Sequence, residues 1–308
     1  MPRLAIVATT AILLALLPVV GNDYLLQVAI FVLIQSIAVT GLGFLTGFAG
    51  RISLAQGGIY GIGAYTTGLL VTQLGVPPLL ALPAAIAMAV AVGALLGSPA
   101  IRLSGLYFVM STIGLQQIIW IVLMHWTALT GGPQGLRDIP ALSIAGFVFD
   151  TPGRLYLAAL AGAVLSYLLA RRVIDSRFGL FLRAVSDDEL SSATTGVAVL
   201  RTKVLALALA SGWAGAAGFL HAFYLRFLHP DMFSLDLSVV QLTMAMFGGY
   251  RSLEGILLAA LVLGSASEYL RPFGEFRLVA YGGLLLLTMM LAPRGIIAAL
   301  RGLRPGRA

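Results

Sequence analysis

The 308-residue chain has no cysteine, a single lysine and three histidines, and only 10% of its residues are charged. Without cysteine, disulfide bonds, thiol chemistry and thiolate metal sites are excluded. Soluble domains carry about 25% charged residues, and a chain as apolar as this one would expose large hydrophobic patches in water. With 59% hydrophobic residues and a mean hydropathy of +0.99, the composition is that of a membrane protein with several spans.

Sequence motifs for energy conversion and catalysis are also missing. The one lysine, Lys203, is followed by Val204, whereas a Walker loop needs lysine before serine or threonine. The sequence has neither an H-E-x-x-H pair nor a G-x-S-x-G elbow, which argues against an intramembrane enzyme. Its apolar stretches hold almost no acidic residues, although proton- or sodium-coupled carriers usually bury them near mid-membrane. We therefore expect that another chain supplies the energy for any uphill transport. The alternative is a self-sufficient secondary carrier or channel for small polar solutes.

Apolar stretches follow one another along the whole chain and predict an all-α polytopic membrane protein with about eight to ten transmembrane helices. The stretch Leu237–Gly249 is short for a crossing and predicts a re-entrant or broken helix. The first stretch resembles a signal peptide but lacks a small-x-small cleavage site, which favours a retained span. The stretches are Leu4–Val20, Tyr24–Leu45, Ile52–Leu74, Pro78–Leu96, Gly105–Trp126, Leu155–Ala170, Val204–Leu228, Leu237–Gly249, Gly255–Leu270 and Leu278–Ala292.

The basic residues are distributed unevenly between the two sides that this topology defines. The net charge is +7, but the arginines lie at the ends of apolar runs, which indicates a positive-inside pattern and not a nucleic-acid surface. With ten crossings, 14 basic residues fall on one side and five on the other. This bias predicts that both termini are cytoplasmic.

Residues 171–203 form the most polar part of the chain. They hold six of the 19 basic residues and four of the 12 acidic ones. The basic flanks place this segment on the cytoplasmic side. So much charge in one loop predicts a surface that contacts something outside the membrane.

Within this loop, Ser186-Asp187-Asp188-Glu189 has the pattern of a capping box. Ser186 would accept a hydrogen bond from the Glu189 amide, and the Glu189 carboxylate would reach back. Asp187 and Asp188 place negative charge at the positive end of the helix dipole, and Gly196 is a plausible left-handed terminator. The pattern predicts a helix of about two and a half turns.

Leu190 and Ala193 fall close together on one side of this predicted helix. A helix so short does not persist alone in water and must pack against another element. Two interpretations stay open. The helix either rests on its own membrane domain in a solvated loop, or it is a coupling helix that inserts into a motor protein.

A short motif occurs in both halves of the chain. Gly50-x-x-Ser53-Leu54 and Gly249-x-x-Ser252-Leu253 share the pattern G-x-x-S-L. Transporters are often built from repeats, so the match is compatible with two inverted repeats. So few shared letters in a glycine- and leucine-rich sequence, three of five positions, also arise by chance.

Five blocks of sequence form an ordered pattern over most of the chain. It resembles the LivM-type permeases of the LivH/LivM family, which are membrane subunits of ABC importers for branched-chain amino acids. The blocks are Gly41-Leu42 with Gly47, Gly50, Ser53-Leu54 and Gly61-Ile62-Gly63-Ala64-Tyr65; Arg102-Leu103-Ser104-Gly105-Leu106-Tyr107-Phe108; Thr130-Gly131-Gly132 with Gly135-Leu136; Ser176-Arg177-Phe178-Gly179, Arg183-Ala184-Val185, Asp187-Asp188-Glu189, Ala193 and Gly196-Val197; and Pro293-Arg294-Gly295.

The resemblance implies a single transmembrane permease domain over residues 1–308, with residues 171–203 as its cytoplasmic coupling loop. It implies a homologous LivH-type permease, two ATP-binding subunits and an extracytoplasmic substrate-binding protein as partners in the lipid of the cell inner membrane. The chain itself would have no cofactor and no ATPase site, because the partner subunits use the ATP. Urea, short amides and other amino acids remain open as solutes. The ATPase-coupling residues it implies are Ser186, Asp187, Asp188, Glu189, Ala193 and Gly196.

Polar residues and glycines inside the apolar stretches are the candidates for a translocation path. Gly57 and Gly61 form a G-x-x-x-G face, which allows either close helix packing or space for a solute. Gln116, Gln117 and Gln241 lie at plausible membrane depth, where such side chains line a path or bridge helices. A path without fixed charge suits an importer whose specificity lies in a separate binding protein.

Overall fold

The computed structural model describes residues 22–103, 105–144, 146–249, 252–269 and 276–291. The predicted first span and the C-terminal arginines lie outside these residues. The described chain is helical apart from one small hairpin. Its helices are α1 Asp23–Gly43, which continues as a π-helical turn Phe44–Phe48, α2 Gln56–Thr72, α3 Pro78–Ala100, α4 Gly105–His125, α5 Thr127–Thr130, α6 Pro152–Ile174, α7 Arg177–Asp187, α8 Glu189–Thr194, α9 Val199–Leu225, α10 Leu235–Gly248, α11 Leu253–Tyr269 and α12 Phe276–Leu291.

Five of the described helices are long and apolar enough to cross a membrane: α1 with its π-turn, α3, α4, α6 and α9. α10 has only 14 residues, so it is about 21 Å long, below the roughly 30 Å of a bilayer core. The prediction that this stretch is short for a crossing is therefore confirmed, while its re-entrant or broken character stays a prediction. The prediction of an all-α polytopic membrane protein is also confirmed, while the exact number of crossings stays a prediction.

α9 lies at the centre of the bundle and packs against α1, α2 and α3. Small residues make this possible, because they let two helix backbones approach closely. A Cβ at Gly63 of α2 would lie 2.6 Å from the Cα of Gly215 in α9. A Cβ at Gly215 would in turn lie 2.7 Å from the Cβ of Ala89 in α3. The glycines of α2 and α9 therefore hold the core helices in direct backbone contact.

The peripheral helices present apolar side chains outward. In α3 and α4 most residues are not buried, and Leu95 and Tyr107 are each 74% exposed. In α1, by contrast, 83% of the most apolar window is buried. This arrangement fits a bundle whose outer ring faces lipid and whose centre is built from α1, α2 and α9.

The two ends of the bundle differ in charge and structure. At one end Arg51 contacts Leu103 and Glu189, so the loops before α2 and α4 meet the 171–203 segment. At the other end Leu136 pairs with Leu228. A two-stranded antiparallel hairpin, β1 Leu142–Ile144 and β2 Phe147–Phe149, extends this second end. Arg51 and the 171–203 segment, which the sequence assigns to the same side, therefore lie at the same end of the bundle.

The two copies of the G-x-x-S-L motif share a glycine with a positive φ angle and a serine whose hydroxyl accepts a backbone N–H. Gly50 and Gly249 have positive φ angles of 67° and 90°, which glycine adopts at little cost. In each copy the serine hydroxyl accepts a backbone N–H, from Ala55 for Ser53 and from Gly255 for Ser252. Both turns lie at the end that holds the 171–203 segment. An axis in the membrane plane would exchange the two ends, so this pair of turns does not relate inverted repeats, and that arrangement stays a prediction.

Candidate functional site: a coupling segment and a buried polar line

The polar segment forms two helices, and the predicted capping box is wrong in its register. Ser186 and Asp187 belong to the last turn of α7, and Asp188 is the N-cap of α8. Its carboxylate accepts N–H groups from Leu190 at 2.9 Å and Ser191 at 3.2 Å. Ser186 cannot cap because it is itself helical, whereas Asp188 is extended.

α8 is shorter than predicted, with six residues that end before Gly196. Gly196 has a φ of 86°, which confirms the left-handed terminator. Ala193 is exposed, as are Asp187 and Asp188. Leu190 is 77% exposed, and Leu180 and Phe181 of α7 are exposed as well. The tip of the segment therefore presents a small surface of mixed apolar and acidic character.

Glu189 points inward and not back to its own helix. One carboxylate oxygen lies 2.5 Å from a guanidinium nitrogen of Arg51, and the other lies 2.5 Å from the ammonium of Lys203. Both basic side chains are almost buried, at 9% and 6% exposure, while the Glu189 side chain is 46% exposed. Partial burial raises the pKa of Glu189, but the hydrogen bond from Lys203 and the charge of Arg51 outweigh it and leave the pKa below its usual value. We call these three residues the Glu189 bridge.

Further contacts hold the segment on the bundle. The Arg171 guanidinium donates to the Tyr167 hydroxyl at 2.9 Å and lies 3.6 Å from the Glu254 carboxylate of α11. The Arg183 guanidinium lies over the Phe48 ring, 5.7 Å from its centroid. Ser186 lies against Gly50, at 2.8 Å from where a Cβ would be. The segment is thus both docked on its own membrane domain and exposed at its tip.

In the bundle interior, Gln116 of α4 joins three elements. Its oxygen accepts the Gly58 N–H of α2 at 2.5 Å and the Ser238 hydroxyl of α10 at 3.2 Å. Its nitrogen donates to the Phe233 carbonyl at 2.6 Å. The Ser238 hydroxyl also accepts the Gly57 N–H at 2.9 Å. Gln116 therefore bridges helices with all its contacts buried.

Of the other predicted path residues, the structure brings two to the start of α10 and leaves one apart. Gly57 and Gly61 face the same segment: a Cβ at Gly57 would meet the Ser238 hydroxyl, and one at Gly61 would meet the Phe233 ring. Gln117 is on the exposed side of α4, about 100° around the helix from Gln116, so it does not join this group. The structure thus places two glycines and one of the two neighbouring glutamines around the start of α10.

Gln241 follows one turn further along α10 and pairs with Gln35 of α1. The Gln241 nitrogen donates to the Gln35 oxygen at 2.9 Å. Among the described residues, the Gln35 nitrogen and the Gln241 oxygen have no hydrogen-bond partner, although both side chains are almost fully buried. Buried amide groups are rarely left in this condition.

A buried aromatic group lies beside these buried polar side chains. The rings of Tyr60 and His221 are 5.3 Å apart, and Phe233 packs against both. His221 is buried, with 6% of its surface exposed. Tertiary packing of α2, α9 and the Phe233 turn encloses it, which its position in the sequence does not reveal. Within the described residues, the Tyr60 hydroxyl and His221 Nδ1 have no hydrogen-bond partner.

Ser238 is a candidate site residue that the sequence reasoning missed. It forms hydrogen bonds with two of the predicted path residues, Gly57 and Gln116. A signal for it exists, because Ser234, Ser238 and Gln241 are spaced four and three residues apart on a short apolar helix. That spacing places them on one helix face. Reading the periodicity of the polar residues, and not only their presence, would have found it.

Long apolar helices around buried polar side chains indicate a multi-pass membrane protein. The chain belongs to the family described as "Branched-chain amino acid transport system / permease component", whose model matches residues 24–293.

Curated relatives agree with this family. The high-affinity branched-chain amino acid transport system permease protein LivM of Escherichia coli K12 is 33% identical over 298 residues, which cover 89% of this chain and 70% of the relative. BraD of Pseudomonas aeruginosa is 24% identical, with 82% and 87% covered. A probable LivH of Methanocaldococcus jannaschii is 25% identical, with 79% and 82% covered.

Gly57 provides a test of the packing interpretation. In Gly57→Ala the new methyl group would meet the Ser238 hydroxyl at 2.8 Å and the Ser234 carbonyl at 3.2 Å. We expect a loss of about 1–3 kcal/mol of stability, the usual cost of overpacking, seen as a lower thermal unfolding midpoint of the detergent-solubilised permease. Gly114→Ala is the matched control, since no described atom lies within 4 Å of a Cβ there. Equal midpoints for the two variants would contradict tight packing at Gly57.

Proposed function

We propose that this chain is the permease subunit of an ABC importer for branched-chain amino acids, driven by separate ATPase subunits. Its partners are a homologous LivH-type permease, two ATP-binding subunits and an extracytoplasmic substrate-binding protein. It resides in the cell inner membrane with both termini in the cytoplasm. Family membership and the solutes named for the relatives support the solute class, and the excess of arginine on the 171–203 side supports the orientation.

The single observation that carries the coupling role is the double contact of the 171–203 segment. Its tip presents Leu190 to the surroundings, while Glu189 in the same short helix binds Arg51 and Lys203. In this arrangement Glu189 anchors α8 to the bundle, and Leu190 is left as an apolar contact for a partner protein. α8 therefore contacts the bundle on one side and presents an apolar side chain to the ATPase on the other.

The Glu189 bridge also gives a physical route by which movement of the ATPases reaches the central helices. Lys203 lies in the first turns of α9, and Arg51 lies in the loop that leads into α2. These two helices are in backbone contact at Gly63 and Gly215. When ATP closes the ATPases, displacement of α8 pulls on the start of both central helices. The bundle then opens alternately toward each side, and ATP is hydrolysed only in the partner subunits.

The test is reconstitution in proteoliposomes with both permeases, the two ATPases and the binding protein from the same source. We expect uptake of radiolabelled leucine, isoleucine and valine that requires ATP on the ATPase side. Labelled urea and acetamide serve as competing solute classes. Uptake by this chain alone, or uptake that follows an ion gradient without the ATPases, would show a self-sufficient carrier or channel and overturn the proposal.

A further inference from the structure

Gln35 and Gln241 meet at the middle of their two helices. Gln35 is halfway along the 26-residue span Asp23–Phe48, and Gln241 is halfway along the 14-residue α10. Solute sites of transporters lie near the bilayer midplane and beside short or interrupted helices. α10 is such a helix, preceded by a 3-10 turn and ended at Gly249 with a positive φ angle. Its midpoint is where α1 and α10 exchange a side-chain hydrogen bond.

Each of the two carboxamides has one polar atom without a hydrogen-bond partner among the described residues. Their one hydrogen bond leaves a free N–H donor on Gln35 and a free oxygen acceptor on Gln241, with no partner among the described residues. Exchanging oxygen and nitrogen in both groups leaves the same balance, one free donor and one free acceptor. A pair that served only to bridge α1 and α10 would not require both groups to remain unpaired in a dry interior.

Apolar side chains flank the pair on the same helix faces. Val39 and Leu42 follow Gln35 at positions four and seven along α1, and Met244 and Ala245 follow Gln241 at three and four along α10. All four are buried in one hydrophobic cluster between these helices. A polar donor and acceptor therefore lie next to an apolar surface, at mid-membrane, without a fixed charge.

We propose that Gln35 and Gln241 bind the polar end of the transported amino acid. The carboxylate accepts the N–H of one glutamine, the ammonium donates to the oxygen of the other, and the branched side chain packs on the cluster of Val39, Leu42, Met244 and Ala245. The hydrogen bond between the two glutamines closes the path in the solute-free protein and is replaced by bonds to the solute when α10 moves from α1. This inference rests on the proposed importer function.

The test uses the complete reconstituted transporter with the double variant Q35M/Q241M, whose side chains keep their size but lose all polar atoms. Replacing both partners of a buried hydrogen bond by apolar groups of similar shape is close to neutral for folding. We expect assembly and ATPase stimulation by leucine-loaded binding protein to persist, while leucine uptake per ATP hydrolysed falls about tenfold or more. Gln241→Asn keeps the carboxamide but shortens it, and we expect a partial fall in the same ratio.

Thr243→Val is the matched control on the same helix. Thr243 is fully buried, but its hydroxyl already bonds the Val239 carbonyl of α10, so we expect uptake close to that of the unmodified protein. Uptake by Q35M/Q241M equal to that of the control would overturn the proposal and leave the pair as a helix bridge or a water site. If the double variant does not assemble, unchanged uptake by Gln241→Asn would overturn it in the same way. Absence of ATP-dependent uptake by the unmodified transporter would instead refute the importer function itself.

Discussion

Replacing Leu190 with arginine is expected to abolish ATP-driven uptake while the permease itself stays folded. Leu190 is 77% exposed at the tip of α8, so the substitution disturbs no internal packing. In the complex, an exposed apolar side chain that enters a cleft of the ATPase becomes a central anchor. Placing an unpaired charge there costs about 2 kcal/mol or more, which is roughly 30-fold in affinity or greater.

The measurement is co-purification of the ATP-binding subunits with the tagged permease, followed by leucine uptake in proteoliposomes. Leu74→Arg is the matched control, because Leu74 is 71% exposed in the turn after α2, at the opposite end of the bundle. The control should retain the ATPases at the level of the unmodified protein. If Leu190→Arg also retains them and still transports, α8 is not the docking element.

Glu189→Gln is expected to uncouple ATP hydrolysis from transport and to weaken the end of the bundle that holds residues 171–203. The neutral amide leaves the Arg51 and Lys203 charges uncompensated where both are almost buried. Breaking a fully buried ion pair costs about 3–5 kcal/mol, but the exposure of Glu189 lets water screen part of the loss. We expect a decrease in stability on the order of 2 kcal/mol and uptake close to background, with the ATPases still bound through α8.

Acidification should reproduce the loss of stability that we expect for Glu189→Gln. The pKa of Glu189 is lower in the folded protein than in the unfolded chain, and so is that of Asp188, whose carboxylate accepts bonds from the Ser191 hydroxyl and from the Ser191 and Leu190 amides. Their contribution to stability is complete above the unfolded pKa, near 4, and is lost as the pH falls through the lower folded values. Thermal unfolding of the permease between pH 7 and pH 3 measures this loss.

Asp175→Asn is the control for Glu189→Gln. Asp175 also pairs with an arginine, Arg171, but at 3.6 Å and with 64% of its side chain exposed. Exposed pairs of this kind contribute about 0–1 kcal/mol. The variant should therefore unfold and transport like the unmodified protein, and Glu189→Gln lacks a special role if the two behave alike.

The short element after Leu237 and the terminator at Gly196 could both be predicted, because helix length and glycine conformation are local properties. The capping box failed for a local reason as well: Ser186 has the right residue type, but α7 extends through it and moves the cap to Asp188. Gln116 and Gln117 could not be separated by composition alone, since which of two neighbours faces the core depends on where α2 and α10 pack.

By itself, the sequence determined the membrane class, the side on which charge accumulates and the family pattern of glycines, because these depend on composition and on spacing along one chain. Only the tertiary structure decided that Glu189 joins Arg51 to Lys203 and that Gln35 meets Gln241. In the first set Arg51 and Glu189 are 138 positions apart, and the second pair is separated by 206 positions. No local pattern encodes such contacts, because they depend on which distant helices pack against one another.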